Sequence, residues 1–484
     1  MVASHQRFFV FQPFHQKISD KITKNVILSL GFLKSGITVY LRTLQSSVYR
    51  NENTIKIGET TMKAIKKLIG AAFSAATLAL TLTTANVEGS GFSILEQSTA
   101  GLGRSLAGMT CDINEPSAIF FNPSLSVWHD KPAINLGGNW LHVSATAHKN
   151  SKNTADGDCG NDGGGWSHVP NFDLVYPVTD KIALGLAFSA TSGTATKWNP
   201  KWVGRYQSID TELAVVEATP SISYKILDNL SIGAGIIVQY ATIEMTRDNY
   251  PIGRLKLKGD SAAMGYIAGL TYQPFEKTQL GLSYRSRMTQ ELELDGRLTR
   301  TPYGSFKGDA DADFDLPAVA NFGVTQAITD KWEVMMDISW TKASVFDELS
   351  VTFNKKSNLG KMAYQTTGSY TQKQEMKWKD TWRFALGTEY KLTDKWTVRC
   401  GAAFDRTPVS DPDLRPSSMP DLNRYWFSVG ASYQWNEHLR FDLAYVRLHF
   451  EKGEWRMNMP DGSLASCQMG CSTDIISYAL TYTF

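Results

Sequence analysis

Apolar and polar residues alternate along most of the chain after about Pro132. Between residues 230 and 240, one set of alternate positions carries Leu230, Ile232, Ala234, Ile236, Val238 and Tyr240, and the other carries Ser231, Gly233, Gly235, Ile237 and Gln239. Segments 332–340 and 439–445 repeat the alternation with charged residues on one side. A period of two is typical of strands with two different faces. Fourteen such segments lie between residues 133 and 484, so the pattern predicts an all-β structure.

The connections between these segments alternate between short and long. Thr-Asp-Lys occurs at 179–181, 329–331 and 393–395, and each time it separates two predicted strands, as turn residues do. An even number of strands with short turns at one rim and long loops at the other is the pattern of an outer-membrane barrel. We therefore predict a 14-stranded antiparallel transmembrane β-barrel whose apolar faces meet lipid and whose charged faces line the lumen. The last strand carries aromatic residues on one face and ends at Phe484.

The stretch before the first strand lacks this alternation. Ser93 and Glu96 have the spacing of a helix capping box, Pro116 suits the first turn of a second helix, and Pro123 cannot continue one. A barrel of fourteen strands leaves room in its lumen. We predict that residues 90–132 form a small, partly helical hatch that plugs the barrel of residues 133–484. Its charges can pair with inward charges of the wall, because buried charges need partners.

The N-terminal 89 residues divide at Met62. Residues 62–89 have a basic start, an apolar run and small residues near Ala85 or Gly89, which predicts a secretion signal peptide. Residues 1–61 hold no recognisable motif, and we predict that they are an upstream extension before the true start at Met62. The alternative is a genuine long N-terminus.

Composition narrows the classes of protein. The net charge is +2, so no strong field favours nucleic acid. The mean hydropathy is -0.24 while aromatic residues make up 11% of the chain, and this combination fits a barrel in which every second residue meets lipid. Nothing in the sequence calls for a cofactor or a metal. Cys467 and Cys471 lie in a predicted outer loop, so we predict a disulfide between them.

Several short motifs, in order along the chain, resemble the FadL-type long-chain fatty acid transporters of Gram-negative outer membranes, a family that also contains toluene and xylene uptake channels. They are Gly91-Phe92, Ser98-Thr-Ala-Gly-Leu-Gly-Arg104, Asn122-Pro123, Trp202-Val-Gly-Arg-Tyr206, Leu280-Gly-Leu-Ser-Tyr-Arg285, Trp378-Lys-Asp-Thr-Trp-Arg383, Arg424-Tyr-Trp426 and the terminal Phe484. The resemblance covers nearly all of residues 90–484. The family's hatch motif is Asn-Pro-Ala, whereas Ser124 stands here in place of the Ala.

The resemblance implies uptake of a hydrophobic molecule. Outer loops catch it, a tighter site beside the hatch N-terminus binds it, and it leaves sideways into the membrane through an opening near the third strand. The favourable burial of about 0.8 kcal/mol per methylene allows an apolar groove to collect an acyl chain from water. The resemblance further implies a monomer in contact with outer-membrane lipid and lipopolysaccharide. The strand ending at Phe484 is then the contact for the barrel-assembly machinery.

The resemblance also assigns ligand-binding residues. Phe92 and Met245 contact the acyl chain and Arg247 holds its carboxylate, since a cation opposite a carboxylate in a semi-buried pocket is a strong contact. Lys373 is a second, weaker cation candidate. The alternatives are plug packing for Phe92 and a rim charge for Arg247.

Two further groups of residues follow from the same resemblance. Asn122 and Pro123 are the predicted gating residues of the hatch, with a plain helix stop as the alternative. Trp202, Arg205 and Tyr206 are the predicted outer capture loop, with an interfacial aromatic belt as the alternative.

Three other functions compete with fatty acid uptake. The first is uptake of aromatic hydrocarbons such as toluene or xylene, which the sequence does not separate from fatty acid uptake. The second is an outer-membrane lipid hydrolase, for which no catalytic Ser/His pair is marked by a motif. The third is an open diffusion porin. We expect a transporter with no enzymatic activity and no nucleic-acid partner.

Overall fold

The computed structural model describes residues 93–251, 253–459 and 461–484. The predicted upstream extension, the signal peptide and Phe92 lie outside the described residues. The described chain begins with a segment of short helices, and its first strand starts at Ala133. Among the described residues, no helix combines the length and hydropathy needed to cross a membrane.

The barrel is built from nineteen strand segments. They are β1 (Ala133–Lys149), β2 (Gly165–Thr179), β3 (Ile182–Lys197), β4 (Asp210–Leu227), β5 (Leu230–Asp248), β6 (Arg254–Phe275), β7 (Thr278–Arg285), β8 (Met288–Thr301), β9 (Gly304–Leu316), β10 (Val319–Ala327), β11 (Trp332–Thr341), β12 (Glu348–Phe353), β13 (Thr371–Glu375), β14 (Thr381–Lys391), β15 (Trp396–Asp405), β16 (Arg424–Gln434), β17 (Leu439–Phe450), β18 (Gly453–Asn458) and β19 (Leu464–Thr483). Within the described residues, the α-helices are α1 (Thr99–Leu102) and α2 (Asn358–Thr367), and the 3-10 helices are Pro116–Phe120, Pro123–Trp128, Ala343–Val345 and Pro412–Leu414.

These segments close into one antiparallel ring. The first strand β1 pairs with β2 on one side and with the last strand β19 on the other. Five barrel strands are interrupted once, which gives the pairs β7/β8, β9/β10, β11/β12, β13/β14 and β17/β18. Nineteen segments less five interruptions leave fourteen strands around the ring. The predicted 14-stranded barrel is confirmed.

The three Thr-Asp-Lys turns share one local structure. The side-chain oxygens of Thr179, Thr329 and Thr393 each accept backbone N–H groups two and three residues further on, at 3.0–3.2 Å. A threonine hydroxyl used in this way closes a tight turn without further support. The same three residues therefore make a hairpin wherever they occur in this chain, as predicted.

The outward face of the barrel is apolar and aromatic at mid-height. Trp332 and Met336 on β11 are exposed, whereas Asp337, the next residue of the same strand, is 4% exposed and faces the lumen. Tyr478 and Tyr482 on β19 are exposed with the same parity as Ile476. The predicted division between a lipid face and a luminal face holds at this level.

The hatch fills the lumen and packs directly onto the wall. Helix α1 is capped by Ser98, whose hydroxyl accepts the N–H of Gly101 at 3.0 Å, so the predicted capping box of Ser93 and Glu96 is wrong. Ser93 instead forms a bridge to β3. Close approach depends on wall glycines: a Cβ atom at Gly401 would lie 2.3 Å from the backbone of Arg104.

Candidate functional site

Three cavities follow one another down the lumen from the rim with the long loops to the hatch. We call them the outer pocket (lined by Tyr206 and Arg247), the apolar chamber (lined by Leu292) and the inner cavity (lined by Arg285 and Arg383). Met245 lines both the outer pocket and the apolar chamber, so these two spaces adjoin. On β8, Leu292 lines the chamber and Met288 lines the inner cavity, which places the inner cavity four residues, or about 13 Å, further along the strand.

The outer pocket contains three of the four predicted ligand-binding residues. Met245 and Arg247 lie near the end of β5 with one shared parity, and Lys373 lies on β13. The guanidinium of Arg247 donates to the side-chain oxygen of Gln372 and to the carbonyl of Tyr206 at 3.4 Å. No carboxylate among the described residues forms an ion pair with it. Arg247 therefore keeps an uncompensated positive charge at the entrance to the apolar chamber.

Lys373 differs from Arg247 in its surroundings. Its ammonium group pairs with Glu348 at 2.8 Å and its side chain is 59% exposed. An exposed ion pair of this kind contributes little, about 0–1 kcal/mol. Lys373 is therefore expected to bind a ligand carboxylate more weakly than Arg247 does.

The apolar chamber reverses the alternation seen at mid-height. In the outer extension of β8 and β9, leucine, alanine and phenylalanine point inward, and the carboxylates of Glu291, Glu293 and Asp313 point outward to water. The inward residues include Leu213, Ile243, Leu292, Leu294, Phe314 and Met376. The loop between β15 and β16 closes the chamber from one side, where Met419 is 2% exposed. The lumen at this level is therefore apolar rather than charged.

The inner cavity has the hatch as its floor and charged residues in its wall. Ile94, Leu106 and Met109 of the hatch supply apolar surface. Arg285 forms an ion pair with Glu217 at 2.6 Å and lies over the ring of Phe120. Arg383 donates to the carbonyl of Ser105 at 2.7 Å and lies over the Trp426 ring.

The start of the hatch occupies an irregularity in the third strand. The pairing of β3 with β4 shifts register between Ala190 and Ser192. Ser93 bridges Ser192, the N–H of Ile94 donates to the carbonyl of Thr191 at 2.8 Å, and the Gln97 amide donates to the carbonyl of Ala190 at 2.6 Å. A bulge leaves backbone groups of the strand unpaired, and the hatch satisfies them. The inner cavity thus reaches the wall at the strand where the sideways opening is predicted.

Asn122 is the centre of a saturated hydrogen-bond cluster. Its amide donates to the carbonyls of Thr110 and Leu270, at 2.7 and 3.1 Å, and its oxygen accepts the N–H and the hydroxyl of Ser124. Ser124 also shares a hydrogen bond of 2.7 Å with Thr271. The hydroxyl that replaces the family's Ala side chain therefore ties this end of the hatch to β6.

Ion pairs join the hatch to the wall at its periplasmic side. Arg104 pairs with Asp112 within the hatch and with Glu389 of the wall at 3.3 Å. Arg440 contacts Glu115 of the hatch and Asp442 of its own strand. The expected pairing of hatch charges with wall charges is confirmed for these groups. Glu96 has no ion-pair partner of this kind among the described residues.

The prediction of an exposed capture loop is wrong for Trp202. Its side chain is fully buried, stacks on Trp198 with ring centroids 4.6 Å apart, and lies 5.4 Å from the ring of Trp455. Three packed indoles hold the loop after β3 against strand β18. Arg205 lies over the ring of Tyr206, and Tyr206 lines the outer pocket, so these two residues remain candidates for capture.

The predicted disulfide between Cys467 and Cys471 is also wrong. Both residues lie on β19, which begins at Leu464, and not in an outer loop. Four residues of strand separate Cα atoms by about 13 Å, whereas a disulfide needs roughly 4.4–6.8 Å. The described residues contain no group of three or more His, Cys, Asp or Glu side chains that could hold a metal ion.

Sequence reasoning assigned no ligand-binding role to Arg285 or Arg383, which line the inner cavity, although it placed Arg383 among the inward wall charges. Both residues end a motif that carries the family resemblance, and both follow an outward aromatic residue, Tyr284 or Trp382. An arginine at luminal parity directly after a lipid-facing aromatic is the signal that marks them.

A closed fourteen-stranded barrel with an internal hatch and a chain of luminal cavities defines the class of plugged outer-membrane transport barrels. The family model described as outer membrane protein transport protein (OMPP1/FadL/TodX) matches residues 80–484, and the chain belongs to this family. It is a protein of the outer membrane.

Two relatives illustrate the similarity in sequence. The long-chain fatty acid transport protein of Escherichia coli (strain K12) is 25% identical over 435 residues, which cover 78% of this chain and 91% of that protein. Outer membrane protein P1 of Haemophilus influenzae is 25% identical over 450 residues, which cover 83% of this chain and 95% of that protein.

Solved structures agree with the fold. A Pseudomonas aeruginosa FadL homologue has a TM-score of 0.71 and 25% identity, covering 81% of this chain and 100% of that one. The Ralstonia pickettii toluene transporter TbuX has a TM-score of 0.60 and 18% identity, covering 81% of this chain and 99% of that one. The second likeness concerns the fold alone.

Proposed function

We propose that this protein takes up long-chain fatty acids across the outer membrane. The carboxylate binds Arg247 in the outer pocket, and the acyl chain extends into the apolar chamber. The observation that carries this proposal is the uncompensated guanidinium of Arg247 beside Met245, a residue shared with the apolar chamber. Each buried methylene contributes about 0.8 kcal/mol, and the charge fixes which end of the ligand stays outside.

Transport then proceeds from the apolar chamber to the inner cavity. Tyr206 and Arg205 guide the ligand at the rim, Lys373 adds a weaker positive charge, and Phe92 extends the apolar surface beside the hatch. The ligand leaves sideways at the register shift of β3, where it enters lipid without crossing water. Asn122 and Pro123 form the end of the hatch that stays attached to the wall during gating.

The assembly follows from the same proposal. The protein works as a monomer, its aromatic outer face contacts lipid and lipopolysaccharide, and the terminal Phe484 on the exposed face guides the barrel-assembly machinery. The protein transports its ligand unchanged and catalyses no reaction. A phospholipid hydrolysis assay on the purified barrel checks this, and turnover would contradict it.

Aromatic hydrocarbons are the second candidate substrates. The apolar chamber is lined by leucine, isoleucine and phenylalanine and makes no demand for a charged head group. A toluene-sized ligand would use this chamber and would not need Arg247.

Binding of labelled palmitate to the purified, refolded barrel, with toluene as competitor, tests the proposal. We expect saturable binding that Arg247→Ala weakens by about tenfold or more, the usual scale of a hydrogen bond to a charged group. Toluene binding should be unaffected by Arg247→Ala. Equal loss of both ligands would refute the carboxylate role, and binding of toluene alone would establish the second candidate.

A further inference from the structure

The pairing between β4 and β5 is interrupted in the middle of the barrel wall. Cross-strand pairing skips residues 219–220 of β4 and the facing residues 236–237 of β5. The register is the same on both sides of this break, so neither strand contains an extra residue there. On their other edges, both strands stay paired at these positions, β4 with β3 and β5 with β6. We call residues 219–220 and 236–237 the β4–β5 gap.

Pro220 accounts for the gap. Proline has no N–H to donate to a neighbouring strand, and within sheets it is found at edges and bulges. A closed barrel has no edge, and Pro220 lies inside the ring, paired with Leu186 of β3. Gly235 follows the gap on β5 and contributes no side chain to the packing between the strands. Since backbone groups in lipid have no water to bind, an interrupted ladder is a weak place in the wall.

Apolar side chains border the gap on both faces of the wall. On the outside, Ile222, Ile236 and Met264 are 52–60% exposed, as expected for a surface that faces lipid. On the inside, Ile237 and Ile267 are buried, and Ile267 lines the inner cavity. An acyl chain that crossed the wall here would therefore meet mainly apolar side chains.

Polar contacts hold the strands on either side of the gap. Toward the outer rim, the Gln239 amide donates across the two strands to the carboxylate of Glu217 at 2.9 Å, and both residues line the inner cavity. Toward the periplasm, the Ser231 hydroxyl of β5 donates to the carbonyl of Ser124 in the hatch at 2.9 Å. The gap thus lies at the lower edge of the inner cavity, just above the attached end of the hatch.

The predicted opening at β3 differs from this gap because the hatch closes it. There, the start of the hatch donates hydrogen bonds to the carbonyls of Ala190 and Thr191. At the β4–β5 gap, two neighbouring residue pairs are already missing from the ladder. A local separation of the two strands therefore breaks fewer hydrogen bonds at the gap than at other positions between β4 and β5.

We infer that the β4–β5 gap is a second sideways exit, through which an unbranched acyl chain passes from the inner cavity into the membrane. This inference rests on the proposed function. An acyl chain is roughly as wide as the spacing of neighbouring strands, about 4.8 Å, so the strands separate locally by about that distance. The methyl end enters first because the gap is apolar, and the head group leaves the polar part of the cavity last.

Paired cysteines that fix the two strands at the gap test the inference. The register on either side of the gap places Thr219 opposite Ile237, and facing residues are close enough for a disulfide. Val215 and Ala241 are the matched control pair on the same face of the same strands, where pairing is intact. Each pair is replaced by two cysteines in a chain whose five native cysteines are changed to alanine. Uptake of labelled palmitate is measured in the oxidised state and after reduction.

We expect oxidised Thr219→Cys/Ile237→Cys to take up palmitate about threefold more slowly or worse, because a disulfide fixes the distance between the strands, and to recover on reduction. Oxidised Val215→Cys/Ala241→Cys should take up palmitate as its reduced form does. Unchanged uptake with the first disulfide formed would overturn the inference, and so would equal loss with both disulfides, which would mean that the whole strand pair has to move. If the unsubstituted chain takes up no palmitate, the proposed function fails instead, so the two failures are distinguishable.

Photo-crosslinking locates the exit without any disulfide. A photoreactive amino acid replaces either Ile236 at the gap or Leu443 on β17, two outward residues that are 55% and 59% exposed. During uptake of labelled palmitate, we expect several-fold more crosslinking at position 236 than at position 443. Equal crosslinking at the two positions would overturn the inference, because it would show that the ligand reaches position 236 from the surrounding lipid.

Discussion

At the outer end of the lumen, β8 and β9 turn leucine, alanine and phenylalanine inward and carboxylates outward, whereas at the hatch the wall turns arginine and aspartate inward. Among the described residues that line the outer pocket, Arg247 brings an uncompensated charge to the ligand path. At the hatch, Arg104, Arg399 and Arg440 are all paired with carboxylates. Apolar surface binds an acyl chain without fixing its exact position, because hydrophobic contacts are not directional. Paired charges bind nothing further but fix the hatch in one place. The same two-residue alternation therefore binds the ligand at the outer end of the lumen and holds the hatch in place at the inner end.

The largest expected effect comes from placing a charge in the apolar outer end of the lumen, as is found at the inner end. Leu292→Asp places an unpaired carboxylate in the apolar chamber, where burying it without a partner is strongly unfavourable. We expect palmitate binding to fall by more than about a hundredfold, since the charge also keeps water in the chamber.

The neighbouring Glu293→Ala is the matched control, because that side chain lies on the outer face of the same strand. It should bind palmitate as the wild type does. A heat-dependent gel shift checks that both variants are folded. Normal binding by folded Leu292→Asp would contradict the assignment of the chamber.

An intermediate effect is expected from replacing a paired charge at the inner end of the lumen with an apolar side chain, as is found at the outer end. Arg440→Met leaves Glu115 buried without an ion-pair partner among the described residues and leaves Asp442 with only Arg399, at 3.8 Å. Breaking a buried ion pair typically costs about 3–5 kcal/mol. We expect the hatch to loosen and single-channel recordings to show openings that the wild type lacks.

The double variant Arg440→Met/Glu115→Gln keeps the apolar replacement and removes one of the stranded charges. It should close the channel again in part. Recordings as quiet as wild type from the single variant would show that the ion pairs do not hold the hatch.

The smallest effect is expected at the rim of the outer pocket, where the lysine side chain is exposed to solvent. Lys373→Ala removes a cation that is exposed and already paired with Glu348. Palmitate affinity should change by less than about fivefold, in keeping with exposed ion pairs. A loss as large as that of Arg247→Ala would make Lys373 the principal carboxylate ligand.

Sequence patterning predicts the barrel well because its period is local. The strand count, the luminal parity of Asp337 and the Thr-Asp-Lys turns all depend on residues a few positions apart. The inverted parity of the outer extension is also present in the sequence, where Leu292 and Leu294 alternate with Glu291, Glu293 and Asp295. The pattern does not state, however, which of the two faces turns inward.

The candidate site depends on contacts that no local pattern contains. Trp202 is buried because Trp198 and Trp455 pack beside it, and Trp455 comes from β18, which is distant in sequence. The disulfide prediction failed because β19 extends further than its alternation shows. Arg247 was found by resemblance, and only the structure shows that its charge is uncompensated.

Photo-crosslinking with a long-chain fatty acid that carries a diazirine at its methyl end tests the central claim most directly. The account predicts that the carboxylate stays at Arg247 and that labelled peptides contain chamber residues such as Leu292 and Met376. Arg247→Ala should lower this labelling by about tenfold at ligand concentrations below saturation, the scale of a lost hydrogen bond to a charged group. Excess palmitate should compete with the labelling. Labelling confined to the lipid-facing aromatic residues, or labelling of the chamber that is unchanged in Arg247→Ala, would contradict the account.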